Sequence, residues 1–562
     1  MAALLAAACS GNEPTSGVGP TTTSGEPAAC LPAPDAICRG ANLAGTDLSN
    51  TSLVGIDLRR ANLRGANLTG ADLTQSVLLG ADLAGANLDG ARLVRATADQ
   101  ADFSRASVRG ALFSNASLRE ARFDDVDTSV ALATGAAMEG ASPAEAIDGF
   151  LDDDVETSGT GDVVGGLDVR AEAVTPLLEE LTFRISRDRV APTKAARRYA
   201  YVALAMFAAA APTDQLLESV DDLDGLPARS DDVHPAIAAV VAGGRVARNL
   251  FTIPADDVTL AEVADVLVSD MIGDLSSTQL RASFAFARAV ADVVTARADR
   301  DGFAESLKTK PPTAVATGEW VPTSPNFQPP IDPGWGTLTP FFDATSKCSL
   351  PAPARGSESA SPYQAEADEV MRVAENLTDE QKAIARFWDD GRGRTGTPSG
   401  HWLVIAITLT VQQEFAFDDA LRTIAHSTMA TSDAFVAVWR EKYKWMVERP
   451  ITVIQRSNPD WSSYLVTPAF PEYPSGHSAT SRAAADVLTS YLGELSFDDP
   501  GYGVTEQSRR QFNVAPRSFP SLRAAADEAS DSRLYGGIHF VIGLEGGKAL
   551  GSCVAAGASR LD

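Results

Sequence analysis

From Ala41 to Asp125 the chain repeats itself every five residues, and this period constrains the fold more than any other feature of the sequence. The units Ala41-Asn42-Leu43-Ala44-Gly45, Ala61-Asn62-Leu63-Arg64-Gly65 and Ala81-Asp82-Leu83-Ala84-Gly85 share a register that runs on to Ala121-Arg122-Phe123. The position of Leu43 holds Leu, Val or Phe in every unit except the one centred on Ala98, and the position two before it is usually Ala. A helix returns to the same face after about 3.6 residues and a strand after about two, so a period of five belongs to neither. The chain must instead turn a corner every five residues, with the large apolar positions enclosed.

Seventeen such units fill Ala41 to Asp125, about four coils. The motif resembles the pentapeptide-repeat family, whose fold is a right-handed quadrilateral β-helix with the Leu/Phe and Ala positions pointing inward. Some members of that family mimic nucleic acid. Beside a larger domain, such a rod is expected here to serve as a spacer or as a surface for a protein partner.

The 562 residues exceed what one core organises, so several domains are expected. A formal charge of −27 argues against nucleic acid as a partner and would repel anionic membrane surfaces, so an anionic ligand must enter through a focused cationic site. No run of about 18 apolar residues exists to span a bilayer. Met1-Ala-Ala-Leu-Leu-Ala-Ala-Ala-Cys9 resembles the end of a bacterial lipoprotein signal, although it is short and lacks a basic start. With Cys9 carrying lipid, the protein would be extracytoplasmic and membrane-tethered, periplasmic or at the cell surface. The remaining cysteines, Cys30, Cys38, Cys348 and Cys553, would then allow two disulfides, with Cys30 and Cys38 the nearest pair.

Four segments are expected. Residues 1–37 form a signal-like start and a disordered Pro/Gly/Ser/Thr-rich tether, 38–128 the coil, 129–170 an acidic Gly-rich hinge, and 171–562 an all-α bundle. Apolar residues at spacings of three and four predict helices over 174–183, 195–207, 236–251, 260–272 and 276–298. A Pro-rich stretch, 311–353, is expected to wrap the helices as an ordered belt anchored by Trp320, Trp335 and Phe341. Helices are then predicted over 402–417, 419–429, 432–447, 475–492, 521–529 and 537–556.

The chemistry gathers in the last third. Pro474-Ser475-Gly476-His477 opens a helix, so a hydroxyl, an unencumbered backbone N–H and the positive helix end would face one spot, with His477 placed to move a proton. Lys442 and Arg449 lie seven apart, which on a continuous helix puts both cations on one face, and Pro450 must end that helix. Arg533 adds a third cation, and Gly536-Gly537 lead to His539. Three cations, a hydroxyl, a backbone donor and two imidazoles are what is needed to hold a tetrahedral oxyanion and attack or ligate its centre.

The motifs Lys-x6-Arg-Pro, Pro-Ser-Gly-His and Ser-Arg-x5-His resemble those of the type 2 phosphatidic acid phosphatase and vanadium-dependent haloperoxidase superfamily. Trp439-x-Glu-Lys442 and Phe470-Pro-x-Tyr-Pro-Ser-Gly-His477 are similar to vanadium chloroperoxidase. Ala195-Ala-Arg-Arg-Tyr-Ala, Trp320-Val-Pro-Thr, Trp335-Gly and Gly400-His-Trp402 resemble the bacterial haloperoxidase-like branch. The resemblance covers about 172–562, with its core motifs in 439–545. It implies vanadate as cofactor, hydrogen peroxide and halide as substrates and a small organic acceptor.

In that reading His539 is the axial vanadium ligand, while Lys442, Arg449, Ser475, Gly476 and Arg533 bind the equatorial oxygens. His477 is the acid/base, and Trp439 and Phe470 are aromatics on the halide side. As a phosphatase, the same site would use His539 as nucleophile and His477 to protonate the leaving alcohol. A third reading is a catalytically impaired, surface-tethered interaction protein. Asp390 resembles the acid that pairs with the Arg of the third motif, here Arg533. The family's acid four residues beyond the last histidine is replaced by Gly543, and Glu545 would point elsewhere, so His539 is expected to lack its orienting carboxylate.

Overall fold

The computed structural model describes residues 30–147, 151, 175–211, 220, 223–251, 260–273, 275–311, 316, 318–353, 361–501 and 515–558. Cys9, most of the expected tether and residues 152–170 of the expected hinge lie outside them.

In the N-terminal part, parallel bridges link residues twenty apart: Asn42 to Asn62, Asp82 to Asp102, Arg122 to Ser142. One coil therefore consumes four repeats. Each inward residue donates its amide to the coil above, as Leu83 does to Asp102 O at 2.8 Å, and each corner closes on itself, as Ala81 N does on Leu78 O at 2.9 Å. Every corner needs a residue at positive φ, which is why Gly45, Gly65 and Gly85 recur there, at φ 64°, 61° and 67°. Inside, Leu63, Leu83, Phe103 and Phe123 form one fully buried column, with the rings of Phe103 and Phe123 stacked 5.0 Å apart. The ladder does not stop at residue 128: Leu112 bridges Leu132, and Leu132 bridges Leu151. The inward positions there are Thr128, Ala133 and Met138 in place of Leu or Phe, so the sequence loses its period while the backbone goes on coiling.

The helical part contains α1 (Thr175–Arg187), α2 (Pro192–Ala210), α3 (Pro235–Leu250), α4 (Leu260–Met271) and α5 (Ser277–Arg300). After the belt follow α6 (Gln364–Glu375), α7 (Asp379–Phe387), α8 (Thr397–Gln412), α9 (Phe417–Trp445), α10 (Pro450–Ile454), α11 (Gly476–Leu492), α12 (Leu522–Tyr535) and α13 (Val541–Ala558). One antiparallel ribbon joins β1 (Phe497–Asp499) to β2 (Arg517–Phe519). No helix among the described residues is long and apolar enough to cross a membrane.

The coil is seated on α4. Arg95 makes a two-pronged ion pair with buried Glu262, with Nε to Oε1 at 3.0 Å and Nη2 to Oε2 at 3.2 Å, and Asn115 Nδ2 reaches the same carboxylate at 2.6 Å. Ser114 Oγ donates to Asp265 at 2.7 Å, and Arg109 Nη2 donates to the carbonyl of Leu275 at 2.9 Å. Val94, Leu112, Val130 and Leu132 of the coil belong to the same apolar cluster as the bundle. One face of the rod is thus spent within the chain.

Two expectations about helices are corrected. The segments 419–429 and 432–447 form the single helix α9, because Thr428 and Thr431 turn their hydroxyls back onto carbonyls of the preceding turn (Ile424 and Thr428, each at 2.9 Å) and leave the ladder unbroken. That helix ends at Trp445, where Met446 enters the left-handed region at φ 49° and caps it on Lys442 O. Arg449 is therefore off the helix, in extended backbone at the start of α10, and shares no helical face with Lys442.

The belt behaves as expected. Trp320, Trp335 and Phe341 are buried. Asp433 in the middle of α9 accepts the amides of Phe341 (2.7 Å) and Phe342 (3.0 Å), and Trp320 N donates to Met446 O at 2.6 Å. Cys348 at the belt's end is disulfide-bonded to Cys553 on α13, and Cys30 to Cys38.

Helix α13 lies against the loop before α11 through Gly543 and Gly546 and against α11 through Gly547 and Gly551, four glycines in a stripe at helical spacing. A Cβ at Gly547 would stand 2.6 Å from Ser475 O, and one at Gly546 2.8 Å from the Tyr473 ring. This backbone-close packing, sealed by Ser475 N donating to Gly543 O at 2.8 Å, brings the turn before α13 over the start of α11.

Candidate functional site

Chain segments far apart in sequence meet at the N-terminus of α11. Ser475 is its N-cap, with Oγ accepting the amide of Ser478 at 3.3 Å, so the hydroxyl proton stays available to a ligand. Gly476 begins the helix, where a backbone N–H has no intrahelical partner. Lys442, in the last turn of α9, donates Nζ to Pro471 O at 2.7 Å and Glu472 O at 2.8 Å, leaving one of its three protons.

Arg449 spans two elements, with Nε on Phe470 O (2.9 Å) and Nη1 on Ile538 O (2.8 Å) and on His539 Nε2 (3.1 Å). Its Nη2 is buried without a described partner. Arg533, near the end of α12, is held by the carbonyls of Trp388 and Ala385 and donates Nε to Ser532 Oγ at 3.0 Å. Fully enclosed cations are costly unless an anion compensates them. Burial first, then Arg449 beside it, drives Lys442 well below the usual ammonium range, and burial lowers Arg449 to about 10.

His539 sits in the turn before α13, not within the expected helix 537–556. Burial, followed by Arg449, Lys442 and Arg533, pushes its imidazole well below the usual range. The expectation that it lacks a carboxylate is overturned. Glu472 Oε1 lies 2.7 Å from Nδ1 and also accepts the amide of Phe540 at 3.0 Å. Burial raises Glu472 to about 7 against the pull of Lys442 and Arg449. Glu545 is solvent-exposed and pairs with Lys548 at 3.1 Å.

His477, in the first turn of α11, is also pushed well down by burial and then by Arg533 and His401. Its Nε2 has no described hydrogen-bond partner and lies 3.9 Å from Asp390 Oδ2. Asp390 accepts from Thr395 Oγ1 at 3.3 Å and pairs with His401 Nδ1 at 3.1 Å, while His401 Nε2 meets Asp499 of β1 at 3.0 Å. Burial alone would lower His401, but Asp499 and Asp390 outweigh it and hold the imidazole at about 10, charged at neutral pH. Trp388 stacks on that ring at 4.6 Å.

Trp439 and Phe470 pack against each other, with ring centroids 4.9 Å apart. Lys442 Nζ stands 5.1 Å and the Arg449 guanidinium 4.9 Å from the Phe470 ring.

The structure therefore brings together Lys442, Arg449, Ser475, Gly476, His477, Arg533 and His539, with Asp390, Trp439 and Phe470 around them. Sequence reasoning missed Glu472, although it stands inside the motif Phe470-Pro-Glu-Tyr-Pro as a carboxylate among apolar neighbours. It also gave His401 no role, and only the ribbon places Asp499 against it.

Residues 422–561 match the family described as the VCPO second helical-bundle domain. Residues 36–75, 76–115 and 99–127 match pentapeptide repeats. The vanadium chloroperoxidase of Curvularia inaequalis is 25% identical over 342 residues, covering 46% of this chain and 56% of that relative. The chain thus spans a little over half the length of that curated relative.

Among solved structures, the first bacterial vanadium-dependent iodoperoxidase is similar with a TM-score of 0.62 and 30% identity, over 70% of this chain and 97% of that one. A holo-type bacterial vanadium-dependent chloroperoxidase shares the fold at a TM-score of 0.50 and 18% identity, over 66% of this chain and 93% of that one.

Proposed function

Through its helical part the chain belongs to the vanadium-dependent haloperoxidase family, and from that premise we propose that it binds vanadate and uses hydrogen peroxide to oxidise halide to a hypohalous species that halogenates a small organic acceptor. The observation that carries the reading is a buried His539 bonded to Arg449 and grouped with the enclosed Lys442 and Arg533. An oxyanion among them would add compensating negative charge. Arg449 Nη2 and His477 Nε2, both buried without described partners, fit the same ligand.

Vanadate, when bound, supplies the Lewis-acidic centre at which peroxide is activated. The residues do the rest. His539 offers the lone pair of Nε2, and Arg449, now bonded to that nitrogen, turns to the anion. The remaining proton of Lys442, the guanidinium groups of Arg449 and Arg533, the Ser475 hydroxyl and the Gly476 amide bind the oxygens. His477, neutral at rest, takes a proton from incoming peroxide at Nε2 and returns it to the departing oxygen. Trp439 and Phe470 keep water from the side on which halide is oxidised.

The phosphatase reading uses the same groups, but the similarity to the iodoperoxidase favours halide oxidation. Purified protein loaded with vanadate and given peroxide and bromide should halogenate a phenolic dye, and His539→Ala should reduce that rate by roughly three orders of magnitude. Hydrolysis of a phosphomonoester with no halide oxidation would overturn the proposal.

A further inference from the structure

Glu472 and Gly543 explain each other. A Cβ built at Gly543 falls onto the Glu472 carboxyl group, 2.8 Å from Cδ, a distance that real Cβ atoms do not show. Any side chain at position 543 would therefore occupy the space that the Glu472 carboxylate fills. That carboxylate is fixed from several sides. Its backbone N–H donates to Val447 O at 2.9 Å, its backbone carbonyl accepts from Lys442 Nζ at 2.8 Å, and Oε1 accepts from Phe540 N at 3.0 Å. A guanidinium can only donate, so the 3.1 Å contact from Arg449 Nη1 makes Nε2 an acceptor, places the proton on Nδ1, and runs the 2.7 Å contact from Nδ1–H to Glu472 Oε1. In this tautomer the lone pair of Nε2 points at Arg449 and becomes available to a ligand once Arg449 turns away.

We propose that Glu472 is the positioning residue of His539. It fixes tautomer and ring orientation from the loop before α11, in the space a carboxylate on α13 would reach from position 543, and Gly543 is required to admit it. The inference uses the ligand role of His539 from the haloperoxidase reading, but its geometric content concerns the imidazole alone. Two independent readouts keep the two apart.

Selective 15N labelling of the five histidines reports the His539 tautomer without any bound ligand, and vanadate titration gives a Kd without turnover. Wild type should show Nδ1–H at His539. Glu472→Ala should mix the tautomers and weaken vanadate binding by about 10–100-fold. Gly543→Asp alone should weaken binding through collision with Glu472, whereas Glu472→Ala with Gly543→Asp should recover most of the affinity and the Nδ1–H signal. Should Glu472→Ala not fold, the isosteric Glu472→Gln, which keeps the acceptor oxygen but loses the charge, should retain the tautomer and weaken vanadate binding by about tenfold.

A folded Glu472→Ala variant with unchanged tautomer and Kd overturns the proposal, as does a double variant no better than the single one or a Glu472→Gln variant with wild-type Kd. Failure of the wild type to oxidise halide would sink the haloperoxidase reading while leaving the tautomer result to judge Glu472.

Discussion

Phe103 in the coil and His539 in the bundle are both sealed from solvent, yet the groups that seal them come from different distances along the chain. Phe103 is enclosed by Phe113 and Phe123, ten and twenty residues away in the same periodic pattern. His539 is held by Glu472 and Arg449, 67 and 90 residues away on unrelated elements. The coil gains stability by repetition, so each contact copies the one below. The site gains function by convergence, and no contact in it repeats. A fault in the coil should therefore stay within neighbouring coils, whereas a fault at the site should reach the chemistry directly.

Phe103→Ala tests the first half of that contrast most severely. Loss of a fully buried ring should cost the coil about 4 kcal/mol and expose amides of the adjoining coils to hydrogen exchange. Halide oxidation by the folded protein should be unchanged. A loss of turnover well below the melting transition would mean that coil and site are coupled.

Glu262→Ala attacks the junction, leaving Arg95 partly buried and Asn115 without its acceptor. It should cost about 3 kcal/mol, with protection lost on both sides of α4. If only coil amides lose protection, the junction is a passive seat.

The smallest effect concerns His401. Its pKa is raised in the folded state, so its charge stabilises the fold fully below the unfolded value of about 6.5, and this contribution is lost as pH rises towards about 10. Over that window stability should fall as pH rises. His401→Gln should flatten the slope of melting temperature against pH between about 7 and 10. A slope equal to that of wild type would mean that the Asp390–His401–Asp499 group does not hold the charge.

Much of the coil was legible because its period is local. The Leu/Phe column and the glycine corners can each be seen within five residues, and the pattern faded only where Thr128, Ala133 and Met138 replaced the large apolar residues while the backbone went on coiling. The boundaries of α2 to α5 were close to the apolar spacing for the same reason. Arg449 shows the limit. Sequence spacing set it on the face of Lys442, but Met446 stops the helix early, and both cations still arrive at one place because the loop 470–472 offers carbonyls to each.

The sequence by itself determined which residue types are present for oxyanion chemistry, and in which motifs: Lys442, Arg449, Ser475, Gly476, His477, Arg533 and His539. It also showed that a carboxylate was absent at position 543. Only the tertiary structure decided that Glu472 stands in that space, that Asp499 completes the pair of acids around His401, and that the coil is seated on α4. The physical reason is that orientation of an imidazole depends on a contact of a few ångströms between backbone segments. The glycine stripe of α13 sets that approach through close packing, and its helical spacing does not say which backbone it will meet.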